Sequence, residues 1–204
     1  MLFRSGEMKP SAAFEQEYMA NPMENAANPF GSNHINKCTR PISYLQPEYF
    51  GIDLAKSVDW TVIIGLDSNG SVCHYQRFQK DWLQTKETIL ELPKNKPIII
   101  DSTGVGDAIT EDLQKHFNSM YGFKYTLNSK QQLMESLVAA IHKGEIGFPE
   151  GAIKSELEIF EYVYTSTGVR YAAPTGFHDD CVNALAMANK CRIAHKGNGE
   201  YFFI

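Results

Sequence analysis

The chain reads as an α/β domain built on a mixed central sheet, antiparallel hairpin strands joined to parallel ones, with helices on the flanks. Three observations predict it. The apolar runs Tyr49 to Ala55 and Trp60 to Asp67 are followed by the turn Ser68-Asn69-Gly70 and a third run, Ser71 to Phe78; an Asn-Gly pair between such runs is a strong hairpin signal. A continuous β-branched run, Ile98 to Asp101, is reached through a helical stretch, which is the pattern of a parallel strand in a covered sheet. The last helical segment, His178 to about Ala194, places Asp180, Ala184 and Ala188 one turn apart. Two alanines at that spacing let a helix lie close to a sheet and carry Asp180 toward it.

The elements follow in order. Residues 1–48 are punctuated by Pro10, Pro22, Pro29, Pro41 and Pro47 and are rich in Asn and Ser, so they read as a linker: a short helix near Ser11 to Ala20, then an extended arm. The globular domain is expected over 49–204. After the hairpin comes a helix around Gln84 to Leu92, then Pro93 and Pro97 before the strand that ends at Asp101. A helix over Val105 to Met120, a short strand over Phe123 to Leu127 and a helix over Lys130 to His142 are expected next. Ile146 to Pro149 reads as a connector. A helix over Ala152 to Tyr164 would carry Ile153, Leu157, Phe160 and Val163 or Tyr164 on one face. Thr167 to Tyr171 reads as a turn into an edge segment, and Pro174-Thr175-Gly176 separates it from the last helix.

With 204 residues, 43% of them hydrophobic, the chain can bury one substantial core. The apolar runs are too short to span a bilayer, and the N-terminus lacks the blocks of a signal peptide, so cytosol is the expectation. Cys38, Cys73, Cys181 and Cys191 show no zinc or redox spacing. The net charge of −5 argues mildly against a nucleic-acid partner, since phosphates are met largely by Lys and Arg. Carboxylates that hold divalent cations invert their own local field, however, and such a point can receive phosphate. Basic residues recur at Lys115, His116, Lys124 and Lys130 and again at Lys190, Arg192, His195 and Lys196; a solvated polar face explains each group equally well.

Three acids stand at the edges of core elements. Asp53 lies inside an apolar run, Asp101 ends the β-branched strand, and Asp179 and Asp180 open the last helix. Asp101 before Ser102-Thr103-Gly104 also suits turn chemistry, and Asp179 also suits a helix N-cap. Asp53 cannot be a cap, and a lone buried carboxylate is costly unless something pairs with it or is coordinated by it. One metal site holding Asp53, Asp101 and Asp180 is therefore expected. Asp179, sharing its helical face with Asn183, is a second-shell acid or an alternate ligand. Gly104-Val105-Gly106 lacks the third glycine of the dinucleotide fingerprint and reads as a tight strand-to-helix turn, and no phosphate-binding loop of the Gly-x-x-x-x-Gly-Lys-Ser/Thr kind occurs.

Taken together, Gly51-Ile52-Asp53-Leu54-Ala55 with Asp59-Trp60-Thr61-Val62, then Ile100-Asp101-Ser102-Thr103-Gly104-Val105-Gly106, resemble the C-terminal nuclease domain of the large terminase subunit of tailed bacteriophages. Asn128-Ser129-Lys130, Glu156-Leu157 with Phe160, Ala173-Pro174-Thr175-Gly176, and His178-Asp179-Asp180 with Ala184 to Ala188 continue the likeness in the same order. It covers about Phe50 to Lys190. Each motif alone is unspecific; the ordered set is fairly specific.

The resemblance implies a ribonuclease H-like fold, metal-dependent endonuclease activity on double-stranded DNA, and a role in cutting concatemeric viral DNA during genome packaging in the host cytoplasm. By motif position Asp53, Asp101 and Asp180 would bind two Mg²⁺ or Mn²⁺ ions, with Asp53 between them. His178 and Asp59 would stand in a second shell, His178 holding a water or phosphate or merely capping the helix, and Lys130 and Lys124 would meet DNA. The family's ATPase loop lies in an N-terminal domain that residues 1–48 would connect to; the small terminase subunit and the portal are the further partners implied. Rival readings are a resolvase or transposase of the same fold, an actin-like sugar kinase fragment suggested by Gly51-Ile52-Asp53-Leu54, and a binding-only module whose acids are caps.

Overall fold

The computed structural model describes residues 27–55, 60–104, 106–166 and 168–196. The helix expected near Ser11 to Ala20 and the Asp59 side chain lie outside them. A five-stranded sheet in the order β3-β2-β1-β4-β5 forms the centre: β1 is Tyr49–Asp53, β2 Thr61–Leu66, β3 Val72–Phe78, β4 Ile98–Asp101 and β5 Met120–Phe123. β1, β2 and β3 pair antiparallel, whereas β4 runs parallel to β1 and β5 parallel to β4. The mixed sheet expected from the hairpin and the β-branched run is thus present. Gly70, at φ 84, makes the hairpin turn, and the Asp67 carboxylate accepts from the Asn69 and Ser71 N–H groups at 2.8 and 2.9 Å.

The strand period of two sorts side chains onto two faces. Phe50, Ile52, Ile63, Ile98 and Ile100 pack with Ile89 and Leu92 from the region of α2 (Trp82–Leu90) and with Leu113 and Phe117 at the end of α3 (Gly106–Gln114). On the opposite face Val62, Ile64, Leu66 and Ile99 meet α4 (Leu127–His142), α5 (Ala152–Ile159) and α6 (Asp180–Lys196). Asp53 shares the parity of Gly51, and Asp101 that of Ile99, so both acids belong to the face that α6 covers. Residues 180–189 of α6 are buried throughout, as suits a helix hemmed in by a sheet and other helices.

Close approach of α6 depends on one glycine. A Cβ placed on Gly51 would lie 2.1 Å from the Ala184 carbonyl oxygen and 2.3 Å from the Ala188 nitrogen. The two alanines on the Asp180 ridge therefore press against β1, as the sequence pattern predicts.

Three expectations are corrected. The stretch read as an arm holds the helix α1 (Ser32–Cys38), and Phe30, Ile35 and Cys38 are buried in the main core; prolines at 29 and 41 bracket this short helix instead of keeping the whole stretch extended. The helix expected to reach Tyr164 ends at Ile159. Asn28 donates to the Leu157 and Glu158 carbonyls at 2.7 and 2.9 Å, and the β-branched and aromatic residues beyond form the antiparallel hairpin β6 (Glu161–Thr165) and β7 (Gly168–Ala172). The strand expected over Phe123 to Leu127 is Met120–Phe123, because pairing with β4 selects the extended residues and Thr126 is already the N-cap of α4, accepting from the Ser129 N–H in a capping box.

Candidate active site

The parallel pairing Gly51 with Ile99 and Ile52 with Ile100, carried one step further, sets Asp53 level with Asp101 at the carboxyl ends of adjacent strands. In open α/β sheets this edge is where ligands bind. α6 brings Asp180 to the same place. Asp53, Asp101 and Asp180 are 6, 2 and 9% exposed, too buried to be ordinary surface acids.

Their charges act on one another. Burial foremost, then repulsion from Asp101 and Asp180, holds the Asp53 carboxyl well above the usual aspartate range; Asn183 works in the other direction by donating to Asp53 Oδ2 at 3.1 Å. The same Asn183 amide donates to Asp179 Oδ1 at 3.2 Å, and Lys130 Nζ reaches Asp179 Oδ2 at 3.0 Å. Asp101 Oδ1 accepts the Thr103 N–H at 2.8 Å, and Thr103 Oγ1 accepts the Tyr125 N–H at 2.9 Å, which ties the loop after β4 to the loop after β5. Burial, followed by the carboxylates of Asp53, Asp101 and Asp179, pushes the Tyr125 phenol well above its ordinary range.

A family model for the terminase RNaseH-like domain matches residues 50–190. The chain belongs to that family. The large terminase subunit of Thermus virus P23-45 is 27% identical over 203 residues, an alignment covering 88% of this chain and 41% of that protein; the chain thus spans less than half the length of this relative. The large terminase nuclease of the thermophilic phage G20c superposes with a TM-score of 0.68 at 23% identity, over 80% of this chain and 98% of that one. The same nuclease solved with bound magnesium gives 0.67 at 24%, over 80% and 97%. The fold is ribonuclease H-like.

Within this terminase domain the residues expected from the sequence divide into two groups. Asp53, Asp101, Asp180, Asp179 and Lys130 gather at one end of the sheet. His178, 45% exposed in its side chain, has Nδ1 3.5 Å from Asp180 Oδ2. Lys124 instead pairs with Asp107 at 2.8 Å, and Arg192 is buried against Glu145 and Asn189, which removes it from any basic surface. A cleft of about 600 Å³ between β5, α4 and α6 is lined by Lys124 and Lys190 among others and contains none of the acids; the buried acids, and not this cleft, mark the candidate site.

Two supporting groups escape a reading of the sequence. Asn183 is one turn past Asp179, a spacing visible in the sequence, but its bond to Asp53 depends on α6 crossing β1. Glu156 accepts the Cys181 N–H at 2.7 Å and pairs with Arg77 at 3.3 Å, and the Arg77 guanidinium lies 4.4 Å over the Trp60 ring. A carboxylate from α5 thereby anchors the first turn of α6 beside Asp180.

The donors suit a hard divalent cation: all are carboxylate oxygens, and the charges of Asp101 and Asp180 act against ionisation of the buried Asp53. Among the described residues, no three acid, His or Cys side chains stand as a ready coordination shell.

Proposed function

We propose that this chain is the nuclease portion of a phage large terminase subunit, a divalent-metal-dependent endonuclease that cuts concatemeric viral double-stranded DNA during genome packaging. The observation that carries the reading is the convergence of Asp53, Asp101 and Asp180 at one sheet edge in a chain of the terminase RNaseH-like family. The magnesium bound by the G20c nuclease supports the choice of ion.

Asp53, Asp101 and Asp180 would hold a pair of Mg²⁺ or Mn²⁺ ions. What such a pair supplies to phosphodiester hydrolysis is an activated water, neutralisation of charge at phosphorus and stabilisation of the departing 3′ oxygen. The chain's own residues prepare that site. Asn183 fixes the Asp53 carboxylate from α6, Thr103 fixes Asp101 through its N–H, and Glu156 holds the helix start that carries Asp180. Lys130 pairs with Asp179, which leaves that acid partly neutralised and keeps a cation at the rim where a phosphate backbone approaches. In the full-length protein the partners would be an N-terminal ATPase domain, reached through the segment preceding β1, the small terminase subunit and the portal. Among the described residues no helix is long and apolar enough to cross a membrane.

The test is plasmid cleavage by the purified chain in Mn²⁺ or Mg²⁺. Nicked and linear products that disappear with EDTA are expected; cutting that survives chelation would remove the metal mechanism.

A further inference from the structure

The hydroxyl oxygen of Tyr125 is buried and has no hydrogen-bond partner among the described residues, and the residue as a whole is half-buried. Its electrostatic neighbours are Asp53, Asp101 and Asp179, so it sits among the acids of the site. A phenol carries one O–H donor, and the charges of three carboxylates act on it, yet it donates to none of them. A buried donor left unmade costs about 1–3 kcal/mol, and such a group calls for an explanation.

The ring is held where it stands from three sides. Phe123 meets it edge-on at 5.1 Å and 77°, Lys130 Nζ lies 5.6 Å from its centroid, and the Tyr125 N–H is tied through Thr103 to the Asp101 loop. Lys130 is itself paired to Asp179. The ring is therefore held in place, while the hydroxyl it carries is bonded to none of the described residues.

We infer that Tyr125 is a substrate-contacting residue of the acid site, whose hydroxyl donates to a non-bridging oxygen of the phosphodiester bound there. A phosphate oxygen is the acceptor this position suits. It carries negative charge, which a site of carboxylates alone would repel, and a neutral O–H fixed beside the acids offers it a hydrogen bond without adding a competing charge. Lys130, against the same ring, supplies the positive rim for the neighbouring backbone. The inference rests on the nuclease reading above and adds to it a residue that holds the substrate and not the metal.

The experiment compares wild type, Tyr125→Phe, Tyr125→Leu and Asp53→Asn by three readouts: the rate of plasmid cleavage in Mn²⁺, Mn²⁺ affinity by calorimetry, and affinity for a short DNA duplex in Ca²⁺. Tyr125→Phe keeps the ring contacts, so its Mn²⁺ affinity should stay within about twofold of wild type while cleavage falls at least about tenfold, or 1.36 kcal/mol. Tyr125→Leu should lose as much rate as the Phe variant. Cleavage by Tyr125→Phe at the wild-type rate would overturn the inference, since the hydroxyl would then meet only water or packing. A loss of Mn²⁺ affinity that matches the loss of rate would also overturn it, because the hydroxyl would be acting through the metal. Should wild type itself fail to cut while folded, the nuclease reading falls and this inference with it; cutting by wild type and abolition in Asp53→Asn leave the Tyr125 result to decide alone.

Discussion

Replacing Gly51 by alanine tests whether the spacing between β1 and α6 builds the site. The added Cβ would stand 2.1 Å from the Ala184 carbonyl oxygen, 2.3 Å from the Ala188 nitrogen and 3.0 Å from the Ala188 Cα. All three are helix backbone, with no flexible side chain to swing aside, so reaching ordinary contact near 3.5 Å requires α6 to withdraw by at least about 1.4 Å. Overpacking of this kind costs about 1–3 kcal/mol, which for a domain of this size lowers the melting temperature by roughly 2–12 °C. The same withdrawal moves Asp180 and Asn183 away from Asp53 and Asp101, and a misplacement of about 1 Å can lower a rate by about a hundredfold. Gly51→Ala should therefore lose activity well beyond its loss of stability. The assay is plasmid cleavage in Mn²⁺ at a temperature where circular dichroism shows the variant folded, beside melting curves. A variant that melts within 1 °C of wild type and cuts at the wild-type rate would refute the close-packing argument.

Two further outcomes follow from the acids. Asp53, with its folded pKa raised, contributes stability that is present below its unfolded value of about 3.9 and lost as pH rises through the folded value. Metal-free wild type should accordingly melt lower as pH climbs from about 4, and Asp53→Asn should flatten that slope, melt as high or higher at pH 7, and cut at least about a hundredfold more slowly, or about 2.7 kcal/mol; parallel pH profiles of melting would contradict the repulsion described among the carboxylates. Asp180→Asn should resemble Asp53→Asn, whereas Asp179→Asn, able to accept from Lys130 and still cap a helix, should retain more activity in the same plasmid assay, and the reverse order would exchange the roles of the two neighbours.

The central sheet was legible because its signals are local: the Asn-Gly turn, the β-branched run before Asp101 and the small residues one turn apart on α6 each specify an element within a few positions. The acids were legible for a related reason. A carboxylate inside an apolar run contradicts its surroundings, and that contradiction appears in the sequence before any partner is known. What stayed hidden depends on contacts between distant positions. Nothing near Tyr162, Val163 and Tyr164 says that Asn28 will end the preceding helix, and the periodicity from Ile153 through Phe160 continues smoothly into them. Phe30 and Ile35 looked like residues of an arm because prolines flank them, although the core they enter is built almost wholly from residues after 60. Asn183 and Tyr125 matter only because α6 crosses β1 and the loop after β5 meets the loop after β4; the alanines of α6 signal that the helix lies on the sheet but not over which strand, and the meeting of the loops has no signature along the chain.

The grip of Asn28 on α5 determines where a mechanical load would enter the domain. Ala27 and Asn28 hold the Tyr162 N–H and the Leu157 and Glu158 carbonyls, and the residue just before Leu157 is Glu156, whose carboxylate holds the start of α6 at Cys181. Tension on the chain upstream of Ala27 thus falls first on the end of α5, within one residue of the anchor that seats Asp180. β1 follows only after α1 and the loop to Tyr49, which shield it from that pull, so a tug from upstream would be felt at the helix-borne acid before the strand-borne one.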